Sequence, residues 1–303
     1  MNHVSLSLSR LHGRLRHYFS KDEILRDFLD ETYFWSGQGV RGTICLEAGS
    51  GFEIKEDTLL EIAVFTELLH NASLIHDDII DEDVERRGGA TFWKKHGRSK
   101  ALLVGDLLIA KAFEIASQVD IDPSIKNGWV SILAETVSSA VRGAANELDF
   151  FVEDNSELLS RYSRMAADKT GVLFALPIRC IALASALNKQ ETTALSSIFS
   201  NLAVAYQVRD DQADFLGDKL GRSHSSDILN GRPNLYHMMS STEMPPETLF
   251  TSIESFQQGL IDSSLENSLS FPVQIQNLVK NLLLPFVRLK PYSSSRLEVP
   301  LAG

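Results

Sequence analysis

Apolar residues recur at intervals of three and four along most of this chain, and the two-residue alternation of half-buried strands is scarce, so the pattern predicts a nearly all-helical protein. Residues 1–33 read as one or two amphipathic N-terminal helices, with Ile24, Leu25, Phe28 and Leu29 on one face and charges opposite. The run Ser36-Gly37-Gln38-Gly39-Val40-Arg41-Gly42 then reads as a flexible turn whose glycines expose backbone N–H groups. Helices are predicted over 57–82, 99–118, 130–151, 157–168, 170–187 and 190–216, with a polar turn at Glu153-Asp154-Asn155-Ser156. A polar loop from Lys219 to Pro233, helices around 246–260 and 273–289, and an irregular tail at 291–303 complete the chain. No short repeat and no linker divides it, so 1–303 reads as a single domain. The apolar run Gly171 to Leu187 contains Pro177 and Arg179 and falls short of spanning length, which predicts a buried core helix and no integral membrane segment.

Composition narrows the function. A 303-residue chain that is 44% hydrophobic can bury a large core. Its net charge of -11 argues against general binding to nucleic acid or anionic lipid. Cys45 and Cys180 lie in apolar settings without metal-ligand spacing, which fits buried thiols in a reducing compartment and hence a cytoplasmic protein. The N-terminal MNHVSLSLSRLHGRLRHYF lacks the apolar core of a secretory signal, and an organelle-targeting reading stays open beside the cytoplasmic one. Asp106, inside an apolar run, is expected to need a partner.

The candidate chemistry lies in two acidic patches. The stretch His70 to Gly89, HNASLIHDDIIDEDVERRGG, ends an apolar helix with Asp77, Asp78 and Asp81, followed by Glu82, Asp83, Arg86 and Arg87. Asp77 and Asp81 share a helix face with Asp78 beside them, at a helix end that already carries partial negative charge. Alone, this pattern fits a solvated acidic helix end as well as a cation site. Asp210, Asp211 and Asp214 repeat the DDxxD spacing at the end of another long apolar helix. If the two helices face each other, at least four carboxylates converge. At an effective dielectric of about 20, each like pair roughly 4 Å apart repels by on the order of 4 kcal/mol. Oxygen donors without His or Cys select a hard divalent cation, and Mg²⁺ completed by water and phosphate fits best. Arg41, Arg86, Arg87, Lys169, Thr170 and Lys219 supply donors for phosphate oxygens, so the cavity is expected to hold a diphosphate with an organic tail against apolar walls.

These residues resemble the trans-isoprenyl diphosphate synthases, or polyprenyl synthetases. LLHNASLIHDDIIDEDVERRGGATFW is similar to the first aspartate-rich motif of that family and VAYQVRDDQADF to the second. The likeness continues through GRSKALLVGDLLIAKAF, Lys169-Thr170-Gly171 and Gly221 to Arg232, covering roughly residues 30 to 240. The resemblance implies an all-α, isoprenoid-synthase-type helical bundle around a deep central cavity, in a homodimer. It implies that Asp77 and Asp81 bind Mg²⁺ clamping an allylic diphosphate and that Asp210 holds a further Mg²⁺, three ions per site with diphosphate bound. Asp78, Asp211 and Asp214 are expected beside them, completing with Lys169 the catalytic set. Arg86, Lys169, Thr170 and Gln207 match positions that contact the allylic substrate, with Lys219 a further substrate ligand. Arg41, His70 and Arg87 match positions that hold isopentenyl diphosphate, although the residues alone would also fit His70 as an ordinary helix histidine. Ala72 and Ser73, small and one turn below Asp77, imply a product of C20 or longer.

The implied reaction ionises the allylic diphosphate, adds the alkene of isopentenyl diphosphate to the cation and releases a proton to diphosphate. Several positions depart from the family. Gln38 stands where a lysine grips isopentenyl diphosphate, a charge-assisted contact worth about 1.5–3 kcal/mol. Arg222 and Arg232 replace lysines, Asn234 replaces a threonine, and Asn146 is expected to replace a glutamine or glutamate. Three readings follow: an elongating prenyltransferase, a class I terpene cyclase-like lyase on the same scaffold, and a non-catalytic subunit of a heteromeric synthase. An HD-type phosphohydrolase, suggested by His76-Asp77, lacks a matching second histidine pair.

Overall fold

Around the helix α4, Glu56–Ile80, the rest of the chain is assembled, and its apolar residues extend all round its circumference. A helix of that kind has no face to give to water, and Ile62, Ala63, Val64, Phe65 and Ile75 are fully buried. The computed structural model describes residues 3–151, 155–218, 231–240 and 245–290. Among the described residues α4 is the one helix long and apolar enough to cross a membrane, and 83% of its apolar window is buried within the bundle. It is therefore accounted for as the central core helix.

The chain enters through α1 (His3–Lys21), a short 3-10 turn at Leu25–Phe28 and α2 (Thr32–Trp35). Leu25 and Phe28 are buried there as expected, but Ile24 faces solvent, because the tighter 3-10 turn takes it off the apolar face. The glycine turn is shorter than predicted. It ends at Gly39, whose φ of +55 lies in the left-handed region, and α3 (Val40–Gly49) begins at once. Gly42 serves packing rather than flexibility, since a Cβ on it would stand 2.2 Å from Leu11 Cδ2. Arg41 thus sits in the first turn of a helix.

After α4 the chain forms an unpredicted two-stranded hairpin, β1 (Glu85–Arg86) and β2 (Gly89–Ala90), paired antiparallel. Its turn residues Arg87 and Gly88 both have positive φ, the combination that suits a tight hairpin. The helices α5 (Phe92–His96) and α6 (Arg98–Gln118) follow. Asp106 of α6 turns out to be exposed and reaches His76 at 3.5 Å, so its place in an apolar run did not mean burial.

The helix α7 runs from Pro123 to Leu148, starting seven residues before the predicted position. Proline in the first turn and the Asp122 carboxylate, which accepts from Ser124 N at 2.8 Å, start it there. The predicted break between 168 and 170 is absent. The helix α8 (Leu158–Ala166) continues through a π turn at Ala167–Gly171 into α9 (Val172–Ala184), which is the buried core helix expected. Then α10 (Lys189–Phe215) opens with a reciprocal capping box between Asn188 and Glu191.

The helix α11 (Leu235–Ser240), α12 (Pro246–Ser268), α13 (Val273–Asn277), a π turn at Leu278–Leu283 and α14 (Leu284–Val287) close the bundle. The predicted helix at 246–260 thus extends to Ser268. A second apolar cluster around Tyr162, Val208, Tyr236 and Phe250 fixes the end of α10 beside α11. Cys45 and Cys180 are buried, and burial raises both thiols above their ordinary values. Lys219, Gly221, Arg222 and the tail at 291–303 lie outside the described residues.

Candidate active site

A cavity of about 1180 Å³ opens between α4, α7, the first π turn and α10. Its mouth is charged. Asp77 and Asp81 line it from the end of α4 and Asp210 from α10, so the sequence-predicted acids converge on one space. Lys169, Thr170, Gln207, Arg41, His70, Arg86 and Arg87 also line it.

Lys169 and Thr170 owe their position to the π turn, which widens one helical turn and re-aims the side chains on it. Gly143 of α7 makes the close approach possible: a Cβ there would lie 2.4 Å from Lys169 N. Lys169 Nζ contacts Glu147 and stands 3.8 Å from Asp77 Oδ1. Burial works to lower its ammonium, but Asp77 and Glu147 outweigh that and hold it above the ordinary lysine value.

The acidic motifs divide into cavity-facing and buried members. Asp78 is fully buried and absent from the cavity wall: its Oδ2 accepts from Tyr33 Oη at 2.7 Å and its Oδ1 from Arg86 Nε at 2.7 Å. Asp211 repeats the arrangement, accepting from Tyr162 Oη at 2.8 Å, Gln207 Nε2 at 2.9 Å and the backbone N of Leu235 at 2.9 Å. Asp214 is also buried away from the cavity. These three were expected beside the cations, orienting water and ligands. Asp78 fixes Arg86, and Asp211 fixes Gln207 and the start of α11, because burial leaves a carboxylate only neighbouring donors to satisfy it.

Asp81 accepts from Arg232 Nη2 at 2.7 Å, and Asp83 from the same nitrogen at 3.3 Å. Burial pushes the Asp81 carboxyl up to about 6, Arg232 pulling it down and the nearby Asp77 charge pushing it further up. The donors fit a hard divalent cation: Asp77 and Asp81 stand one turn apart, Asp210 faces them, and all are oxygen ligands. Among the described residues no three acids, histidines or cysteines draw close enough to form a ready-made cage. Carboxylates on two walls of one cavity suit Mg²⁺, which takes one or two carboxylates and completes its octahedron with water and phosphate.

On the α3 side, Arg41 Nη1 donates to His70 Nε2 at 3.0 Å and its guanidinium lies 4.4 Å above the Phe174 ring. Burial lowers Arg41 to about 10, leaving it charged at neutral pH, and burial together with Arg41 and Arg87 holds His70 well below the ordinary histidine value. Gln38 lines the cavity beside Arg41. Below the mouth the wall turns apolar through Leu69, Ala72, Val137 and Leu173, and Ala72 and Ser73 both line it.

Two residues escaped the sequence reading. Asn146, read as the replacement for a glutamine or glutamate, is exposed, and its neighbour Glu147 lines the cavity. The helical phase of α7 sets this, and Gly143 four residues earlier marks the face. Arg232 was read only as a lysine replacement, yet it joins both acids at the end of α4. Asn234 supplies the cap for α11, its Oδ1 accepting from Tyr236 N at 3.0 Å, a task a threonine can also perform.

A family profile described as Polyprenyl synthetase matches residues 22–259. The chain is 32% identical over 233 residues to a short chain isoprenyl diphosphate synthase of Methanocaldococcus jannaschii, covering 75% of this chain and 69% of that protein. It is 27% identical over 246 residues to an octaprenyl diphosphate synthase of Haemophilus influenzae, covering 80% and 72%. In three dimensions it resembles a geranylgeranyl pyrophosphate synthetase from the archaeon Geoglobus acetivorans, with a TM-score of 0.78 at 23% identity over 94% of this chain and 99% of that one.

Proposed function

The chain belongs to the polyprenyl synthetase family, and on that premise we propose that it is a Mg²⁺-dependent prenyltransferase that condenses isopentenyl diphosphate with an allylic diphosphate. The observation that carries this reading is the meeting of Asp77, Asp81 and Asp210 with Lys169, Arg86 and Arg41 at the mouth of one deep apolar cavity.

Asp77 and Asp81 would hold Mg²⁺ from one wall and Asp210 from the other, with three ions expected once diphosphate is bound. Bound Mg²⁺ neutralises the diphosphate as it departs. Lys169, Arg86, Thr170 and Gln207 bind the allylic diphosphate and stabilise the charge that collects on it while the C–O bond breaks. Arg41, His70 and Arg87 hold isopentenyl diphosphate so that its alkene meets the allylic carbon. The apolar wall excludes water, which would otherwise capture the cation. The proton lost after carbon–carbon bond formation goes to an oxygen of the released diphosphate, so the protein need offer no nucleophile.

Ala72 and Ser73 leave the cavity open one turn below Asp77 and support a product of C20 or longer. A homodimer is supported by the exposed apolar side chain of Leu103 on α6, which lies off the cavity wall. A single domain of cytoplasmic location accords with the buried free thiols. A lyase is the second reading, favoured by Gln38, which puts a neutral amide where a cation would grip the second substrate. The non-catalytic subunit is disfavoured by the intact acid and cation sets. Incubation with Mg²⁺ and an allylic diphosphate, with and without isopentenyl diphosphate, separates the three. Longer diphosphates only with both substrates support elongation. Hydrocarbon or alcohol from the allylic substrate alone replaces it with the lyase, and no product in either favours the subunit.

A further inference from the structure

Residues after 259 lie beyond the stretch matched by the family profile, yet Leu283, Phe286 and Val287 form part of the cavity wall. Two buried glutamines deliver them. Gln257 Nε2 donates to Ala205 O at 2.8 Å and to Val287 O at 2.7 Å, bridging α10 and α14. Gln212 exchanges two hydrogen bonds with Lys290, donating from Nε2 to its carbonyl at 3.0 Å and accepting from its N–H at 2.7 Å. Lys290 Nζ adds an ion pair to Asp218 at 2.7 Å. Buried carboxamides bonded to main chain in this way set the register of a segment, because slipping it would leave several buried polar groups unpaired. Residues 283–290 are thereby strapped along the C-terminal half of α10, which carries Asp210.

That register decides which substrate the strap meets. It brings Phe286 to the cavity wall, which Tyr206 of α10 also lines. The Tyr206 ring lies 6.3 Å from that of Phe174, on which Arg41 stacks. The π turn at Leu278–Leu283 that leads into the strap packs against α3, the helix that carries Arg41. It re-aims the residues that follow.

We propose that this strap is a specificity element for the homoallylic substrate, with Phe286 contacting the five-carbon alkene of isopentenyl diphosphate and Gln212 and Gln257 as positioning residues. The inference rests on the prenyltransferase reading. Steady-state kinetics of the full chain with both substrates varied tests it, on wild type, Phe286→Ala, Phe286→Leu and Gln257→Ala. The expected result is a rise of about tenfold or more in KM for isopentenyl diphosphate in Phe286→Ala. A smaller rise is expected in Phe286→Leu, which retains an apolar plug and guards against a folding defect. Gln257→Ala should move the same constant, with KM for the allylic diphosphate unchanged in every variant. A change in allylic KM or in product length with the isopentenyl KM unmoved overturns the proposal, as does no change in either. Wild-type protein that forms no longer diphosphate would instead overturn the prenyltransferase reading and the inference with it.

Discussion

Tyr33, on a short N-terminal helix, donates its phenolic hydrogen to Asp78 at 2.7 Å and so holds a residue of the first acidic motif turned away from the cavity. Asp78 in turn holds Arg86 at the cavity mouth. Tyr33→Phe leaves a buried carboxylate short of one donor, which should cost about 1.5–3 kcal/mol of stability. It should also raise KM for the allylic diphosphate through a less fixed Arg86. Chemical denaturation and kinetics on the same preparation check both effects.

Arg232 stands against Asp81 at 2.7 Å and Asp83 at 3.3 Å. Replacing it with glutamine removes the cation that Asp81 and Asp83 share, a loss on the order of 3–5 kcal/mol for a buried pair broken on one side. The melting temperature of Arg232→Gln in chelator should fall below that of wild type. Addition of Mg²⁺ with inorganic diphosphate should recover more of it in the variant than in wild type.

The phase of α7 gives a paired test. Asn146→Ala should leave kcat/KM within about twofold of wild type, as expected for an exposed side chain. Glu147→Gln removes the carboxylate that holds Lys169 and should lower kcat/KM by roughly tenfold or more. Equal effects of the two would contradict the assignment of Glu147 to the cavity.

His70 provides a pH signature. Its folded-state value lies well below the ordinary 6.5, because burial and the Arg41, Arg87 and Arg86 charges oppose its protonation. Below about pH 6.5 the unfolded chain takes up a proton that the folded chain refuses, so stability falls as pH falls, by up to about 1.4 kcal/mol per pH unit for one proton. Glu67, raised by its burial, acts with the opposite sign, since it resists ionisation as pH rises above the carboxylate range. Comparing wild type with His70→Asn cancels that contribution. The variant should lose less stability than wild type between pH 6.5 and 5.

Much of this was legible in the residues. The three-and-four spacing located α4, α6 and α10 within a residue or two at most ends, because long apolar helices carry their own period. The matched DDxxD spacings identified two facing acid sets. The division within each set was not legible, since Asp78 and Asp211 are withdrawn by Tyr33 and Tyr162, partners 45 and 49 residues away. The π turn under Lys169 looked like a helix break because Asp168-Lys169-Thr170-Gly171 is polar and glycine-ended. The start of α7 was hidden by Asn127-Gly128, which reads as a turn, although Gly128 admits Leu183, whose Cδ2 would lie 2.3 Å from an added Cβ.

Ala72 tests the depth of the cavity. It is 1% exposed yet lines the wall, so Ala72→Phe must send its ring toward the open space. The longest product should shorten. An unchanged product distribution would mean that the limit on chain length lies elsewhere.

The most direct test of the central claim is mass analysis of the product formed from an unlabelled allylic diphosphate, Mg²⁺ and ¹³C-labelled isopentenyl diphosphate. The account predicts prenyl diphosphates that grow by successive labelled five-carbon units, with incorporation lost in Asp81→Asn. Consumption of the allylic diphosphate into products that carry no label would contradict it.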